Sequence, residues 1–183
     1  MRIFNVRGKS YQTTVRGRYT KINLKMGELI LRGISFKIPN AYGKYLFEIL
    51  VNIEITEFIW SIGGGEAYYV EANKLDTSLL PTGSIVDGKT LSNIITEKDY
   101  YLIFADLKGF TKEEDVREIE TYQEFLESKC QFVLLVVDSS WIYIYSKDSD
   151  IIKQLHSNAV AAKYENINYL TDENDTLTTM IAF

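Results

Sequence analysis

Residues 83–90 read GSIVDGKT and satisfy G-x-x-x-x-G-K-[ST], the pattern of a phosphate-binding loop. In that chemistry the backbone amides from Gly83 to Gly88 cradle phosphates, Lys89 neutralises their outer oxygens and Thr90 holds Mg²⁺. The apolar run FVLLVVD, residues 132–138, ends on Asp138, as the strand and acid completing such a site do. Three features oppose it. The preceding KLDTSLLPT is no buried strand and contains Pro81. Ile85 and Val86 are β-branched where the loop needs unusual dihedrals, and Asp87 sets a carboxylate beside the phosphates. Asp87 as the cap of a short helix explains the same letters. Nucleotide binding or hydrolysis at Gly83, Gly88, Lys89 and Thr90 is therefore the second reading, not the first.

Other chemistry has fewer candidates. Cys130 and His156 are the sole residues of their types, too few for zinc and without the local signature of a nucleophile–base pair. Cys130 directly precedes a buried strand, which favours a packed thiol, and His156 falls in a helix between Leu155 and Val160. Asp106, Asp138, Asp172, Glu173 and Asp175 fall at expected strand ends or turns, where an oxygen-ligand site is assembled. TDENDT, residues 171–176, lacks the glycine and spacing of a calcium loop, and Asp and Asn are ordinary turn residues. The sequence calls for no metal and no cofactor, and a catalyst is the less favoured class.

Charge points elsewhere. Residues 1–32 hold eight cations against Glu28, a net of +7; with −5 for the whole chain, the remainder carries −12. A body that acidic repels polyphosphate, so nucleic acid is expected only at the basic arm, residues 1–32. Residues 112–129 concentrate acids, among them Glu113, Glu114, Asp115 and Glu118, which form a solvated face or receive a basic protein. The leading reading is a non-enzymatic interaction module that binds a basic partner, as small acidic immunity proteins do. One cysteine and no apolar run near the ~20 residues of a membrane span lead to the expectation of a cytoplasmic protein away from membranes.

The elements that must carry these residues follow from periodicity. Residues 131–146, QFVLLVVDSSWIYIYS, predict a central hairpin with one strand buried on both faces. Residues 29–38 alternate as a half-buried strand, and Tyr42, Tyr45, Leu46, Ile49, Leu50 and Ile53 line one face of a three-turn helix capped by Asn40. Strands at 57–62 and 66–71 are expected around a turn at Gly63, Gly64 and Gly65, with 72–86 irregular. A helix at 87–96 and a strand at 99–106 follow. Capping boxes at Thr111–Glu114 and Thr121–Glu124 predict one kinked or two short helices over 112–129. Ser149 caps a helix through Val160, and strands at about 165–170 and at 177–183 close the chain. The class is α+β, a mixed, largely antiparallel sheet with packed helices, in which a strand–helix–hairpin–helix order occurs twice. Residues 1–28 form a basic extension and 29–183 a single domain, with Met26 a candidate translation start.

Three strings carry a resemblance: RGISFKIPNAYGKYLFEIL (32–50), YQEFLESKCQFVLLVVDSSWIYIYSKD (122–148) and NINYLTDENDT (166–176). Over residues 30–183 the chain resembles an uncharacterised family of bacillus-type bacteria, a domain of unknown function. The resemblance implies a stand-alone bacterial cytosolic domain and no particular activity.

Overall fold

The computed structural model describes residues 3–6, 9–13, 19–20, 31–177 and 179–182. The chain divides into two compact units, residues 1–30 and 31–183. In the first, β1 (Ile3–Val6), β2 (Lys9–Thr13) and β3 (Tyr19–Thr20) form a three-stranded antiparallel sheet. Met26 lies outside the described residues.

The second unit is built on one eight-stranded sheet. Its strands are β4 (Leu31–Lys37), β5 (Ile59–Glu71), β6 (Lys74–Ser78), β7 (Ser84–Asp87), β8 (Tyr100–Phe110), β9 (Cys130–Val137), β10 (Trp141–Ser146) and β11 (Glu165–Thr171). The order is β11-β4-β10-β9-β8-β5-β6, with β7 also on β5. Among the described residues every pairing is antiparallel and four helices pack on the sheet: an α+β fold. The hairpin of β9 and β10 is central, as its composition predicts. Asp138 and Ser139 turn it with φ of 51° and 59°, left-handed positions that short polar residues tolerate.

Alternation on β9 divides the core into two. Phe132, Leu134 and Val136 join a first cluster with Ile34, Phe36 and Trp60. It lies under α1 (Tyr45–Leu50), α2 (Gly88–Glu97) and α4 (Ser149–Ala161). Val133 and Leu135 point the other way, with Phe110, Tyr145 and Met180, beneath α3 (Tyr122–Glu127) and the C-terminal residues. The strand–helix–hairpin–helix order expected twice is present once, as β8, α3, β9–β10 and α4: three strands, β5, β6 and β7, separate α1 from α2, and β8 lies beside β9 whereas β4 pairs β10 and β11.

Several elements differ from the sequence reading, each for a tertiary reason. The three glycines make no hairpin turn. Among residues 63–65 none has positive φ, and β5 runs through them as one strand paired to β8 across a bulge. The segment 72–86 contains β6 and β7, because both ends of the long β5 offer an edge to pair. The first helix is short: Gly43 is held to Tyr100 by a bridge, so Tyr45 opens it with Lys44 at the cap position, and Asn40 caps nothing. Asn158 Nδ2 donates to the carbonyls of Ile49 and Val51 at 2.9 and 2.7 Å, satisfying groups at its end. Asp148, not Ser149, caps α4.

Between β8 and α3 lies a 3-10 turn, Glu113–Asp115, without a side-chain cap at Thr111. The second capping box forms: Thr121 Oγ1 accepts from the Glu124 amide, and Glu124 accepts from the amides of Glu120 and Thr121. Residues 116–121 are not helical because they meet the C-terminal segment, where the Met180 amide donates to the Glu120 carbonyl at 2.7 Å. For the same reason residues 177 and 179–182 are not the expected last strand; Met180 and Ala182 are buried beneath that contact instead.

Candidate functional site

Strand β8 reads YYLIFADLKGF and runs through the sheet interior. Asp106 and Lys108 are two residues apart, so the pleat places both side chains on the second face of the sheet. Neither reaches much water: Asp106 is 1% exposed and Lys108 7%. The Lys108 ammonium donates to Asp106 Oδ1 in a short, charge-assisted bond. Burial nevertheless holds the Asp106 carboxyl above the usual range, against the opposing pull of the ammonium.

On the neighbouring strand, Ser61 lies directly opposite Lys108. Gly63 lies against the carboxylate: a Cβ there would sit 2.9 Å from Asp106 Cγ. The glycine run therefore serves close approach in the sheet rather than a turn.

Over this pair opens a cleft of about 410 Å³. Its floor is β5 and β8, one side is Gly83–Ile85 at the start of β7, and the other is residues 116–120 with Ile181. Arg117, Glu118 and Glu120 stand exposed on the rim. The rim is held at its C-terminal end. The capping box fixes Thr121, and the Glu120 carbonyl accepts from the Met180 amide and the Thr179 hydroxyl. A second polar network anchors the C-terminal side. Arg32 pairs with Asp172 and Asp175, lies 4.2 Å above the Tyr122 ring, and Tyr145 donates to Asp175 at 3.3 Å. TDENDT is thus a clasp on β4, and Arg32 works in the domain rather than in a basic arm.

The other residues singled out from the sequence are dispersed. Ser84–Asp87 is strand, bonded along β5, and Gly83 donates its amide to Ile62 at 2.8 Å. Asp87 accepts from the Thr90 amide at 2.8 Å and from its hydroxyl at 2.9 Å, which also draws the Asp87 pKa down. Gly88 is buried, with room for no Cβ beside the Ile55 carbonyl, while Lys89 and Thr90 face solvent. Gly83, Gly88, Lys89 and Thr90 therefore make a strand and a capped helix, not a cradle of open amides. The cap carboxylate stands where a phosphate would sit.

Glu113, Glu114 and Glu118 are exposed and Asp115 half-buried, on the turn between β8 and α3. Cys130 is buried in the second-face cluster, which raises its thiol to about 11. His156, on α4 across the sheet, stacks on Tyr169 at 4.4 Å. Among the described residues no three His, Cys, Asp or Glu side chains converge to hold an ion, so Asp106, Asp138, Asp172, Glu173 and Asp175 are not one site.

The sequence reading does not find the buried pair: its strand spans 99–106 and stops short of Lys108, whereas β8 continues to Phe110. The signal was present. Opposite charges at i and i+2 within an apolar strand are readable as one inward pair.

A family model described as protein of unknown function (DUF2691) matches residues 31–181. The chain belongs to that family. Its span begins where the second unit does and takes in the cleft, the clasp and the acidic turn. The uncharacterized protein YncE of Bacillus subtilis (strain 168) is similar to this chain: 39% identical over 149 residues, 81% of this chain and 97% of that protein. No solved structure matches. The resemblance to a bacillus-type family of unknown function holds. Among the described residues, no helix is long and apolar enough to cross a membrane.

Proposed function

We propose that this domain is a non-catalytic binding module that docks a basic protein partner on the acidic turn between β8 and α3, in the manner of small acidic immunity proteins. The observation that carries the reading is how this turn is presented. Glu113, Glu114 and Glu118 are exposed, and among the described residues the four acids make one ion pair, an exposed contact from Lys112 to Glu114 at 3.4 Å. An exposed pair of that kind neutralises little. The acids ride on a segment held by a capping box and by the C-terminal residues, so docking orders little chain. The −12 body adds a long-range field that speeds encounter with a cation-rich surface and repels nucleic acid.

The test is capture from lysate of the source bacterium by immobilised wild type and by a Glu113→Lys, Glu114→Lys variant of unchanged thermal midpoint. A basic protein retained by the wild type, released by salt and lost in the variant supports docking here. Equal retention by both, or recovery of no basic protein, refutes it.

A further inference from the structure

The cleft over the Asp106–Lys108 pair lies beside the acidic turn and carries a chemistry of its own. Lys108 is more than nine-tenths buried, and among the described residues its ammonium makes one hydrogen bond, to Asp106. An ammonium has three N–H donors, so two remain to be satisfied from the cleft that Lys108 lines. The Ser61 hydroxyl, opposite Lys108 on β5, has no hydrogen bond among the described residues and adds a further donor on the same floor. The Asp106 carboxylate, which also lines the floor, is matched by the Lys108 ammonium, and the remaining donors of Lys108 and Ser61 suit an anionic group. The rim is opposite in character: Glu118 and Glu120 against Arg117, all exposed.

Charge is thus sorted by depth. A simple anion must pass two glutamates to reach Lys108, and a simple cation finds a buried ammonium at the bottom. A ligand bearing both charges meets a complement at each level. Ile119 and the half-exposed Ile85, 47% accessible at the mouth, leave an apolar wall for an aliphatic side chain.

We infer that the cleft binds a small zwitterion of the α-amino-acid class with an aliphatic side chain, its carboxylate inward at Lys108 and Ser61 and its ammonium outward at Glu118 and Glu120. The volume of about 410 Å³ is at the lower end for small-molecule sites, as a ligand of that size requires. Asp106 is then a positioning residue: it holds Lys108 and, through contact with Gly63, fixes where the ammonium stands. The inference stands beside the protein-docking reading and does not depend on it.

The experiment is calorimetric and NMR titration of the full chain with leucine, with 4-methylpentanoate, which lacks the ammonium, and with 3-methylbutylamine, which lacks the carboxylate. Leucine is expected to saturate and to bind at least tenfold more tightly than either fragment. Glu118→Gln with Glu120→Gln changes only exposed side chains; it should weaken leucine and leave 4-methylpentanoate unweakened. Asp106→Asn with Lys108→Met removes both buried charges together and should abolish leucine binding at an unchanged fold. Equal affinity for leucine and a fragment, or no saturation by leucine at millimolar concentration, overturns the inference. So does undiminished leucine binding in the Asp106→Asn, Lys108→Met protein. None of these variants alters Glu113 or Glu114, so failure here is separate from failure of the docking test.

Discussion

Replacing Lys108 by Met keeps the length of the side chain and removes the cation from beside Asp106. The carboxylate, 1% exposed, is then buried with its ammonium gone. Breaking a buried pair from one side costs about 3–5 kcal/mol, a large part of the roughly 5–15 kcal/mol that holds a domain folded. With a urea dependence of about 2 kcal/mol per molar, the midpoint should fall by about 2 M. The loss should also depend on pH with a defined sign. The folded pKa of Asp106 already stands above its ordinary value because of burial, and without the ammonium it rises further. A group raised on folding contributes stability that is full below its unfolded pKa, about 3.9, and lost as pH rises through the folded value. The deficit of Lys108→Met should therefore be largest near neutrality and shrink towards acid. Adding Asp106→Asn removes the stranded charge and should restore most of the midpoint, leaving about 1–2 kcal/mol. Urea titrations at acid and neutral pH decide it. A single-variant loss under about 1 kcal/mol, or one that does not shrink in acid, would mean the pair is solvated and the burial argument fails.

Three more outcomes follow from other parts of the structure. Millimolar Mg-ATP should leave the thermal midpoint of the wild type and of Lys89→Ala unmoved, whereas occupancy at 100 times the dissociation constant would add about 2.7 kcal/mol. The buried Cys130 thiol, raised to about 11, should resist alkylation at mildly alkaline pH in the native protein and react once urea unfolds it. Rapid labelling of the native protein would contradict its packing. Arg32→Leu breaks the clasp on Asp172 and Asp175 and leaves the buried Asp175 carboxylate without its cation, held by the Tyr145 hydroxyl and the Leu177 amide; it should cost about 2–3 kcal/mol and speed hydrogen exchange at the amides of Leu177 and Met180. Unchanged exchange there would show that the C-terminal residues are held without the clasp.

Features that depend on neighbours along the chain are legible in the residues alone. The run Phe132 to Val137 reads as a strand buried on both faces because no polar residue interrupts it, and Asp138 and Ser139 are residues that accept the turn. Thr121 and Glu124 form their box, and Asp87 its cap, because those hydrogen bonds span only three residues. Antiparallel pairing and the α+β class follow from hairpins of that kind. Contacts between distant segments select the rest. Three glycines are equally suited to a tight turn and to close approach between strands, and only the contact of Gly63 with Asp106 selects the second. A strand at residues 177–183 was plausible by composition, but it needed a free sheet edge, and the Met180 amide found the Glu120 carbonyl instead. GSIVDGKT matches a phosphate loop letter for letter, yet β5 supplies hydrogen-bond partners that pull residues 84–87 straight. The cleft itself joins strands from residues 61 and 106–108 to a wall at 116–120, segments whose meeting no local pattern encodes. Local hydrogen bonds are written in the sequence, whereas long-range pairing is a competition among edges that is settled only when the whole sheet assembles.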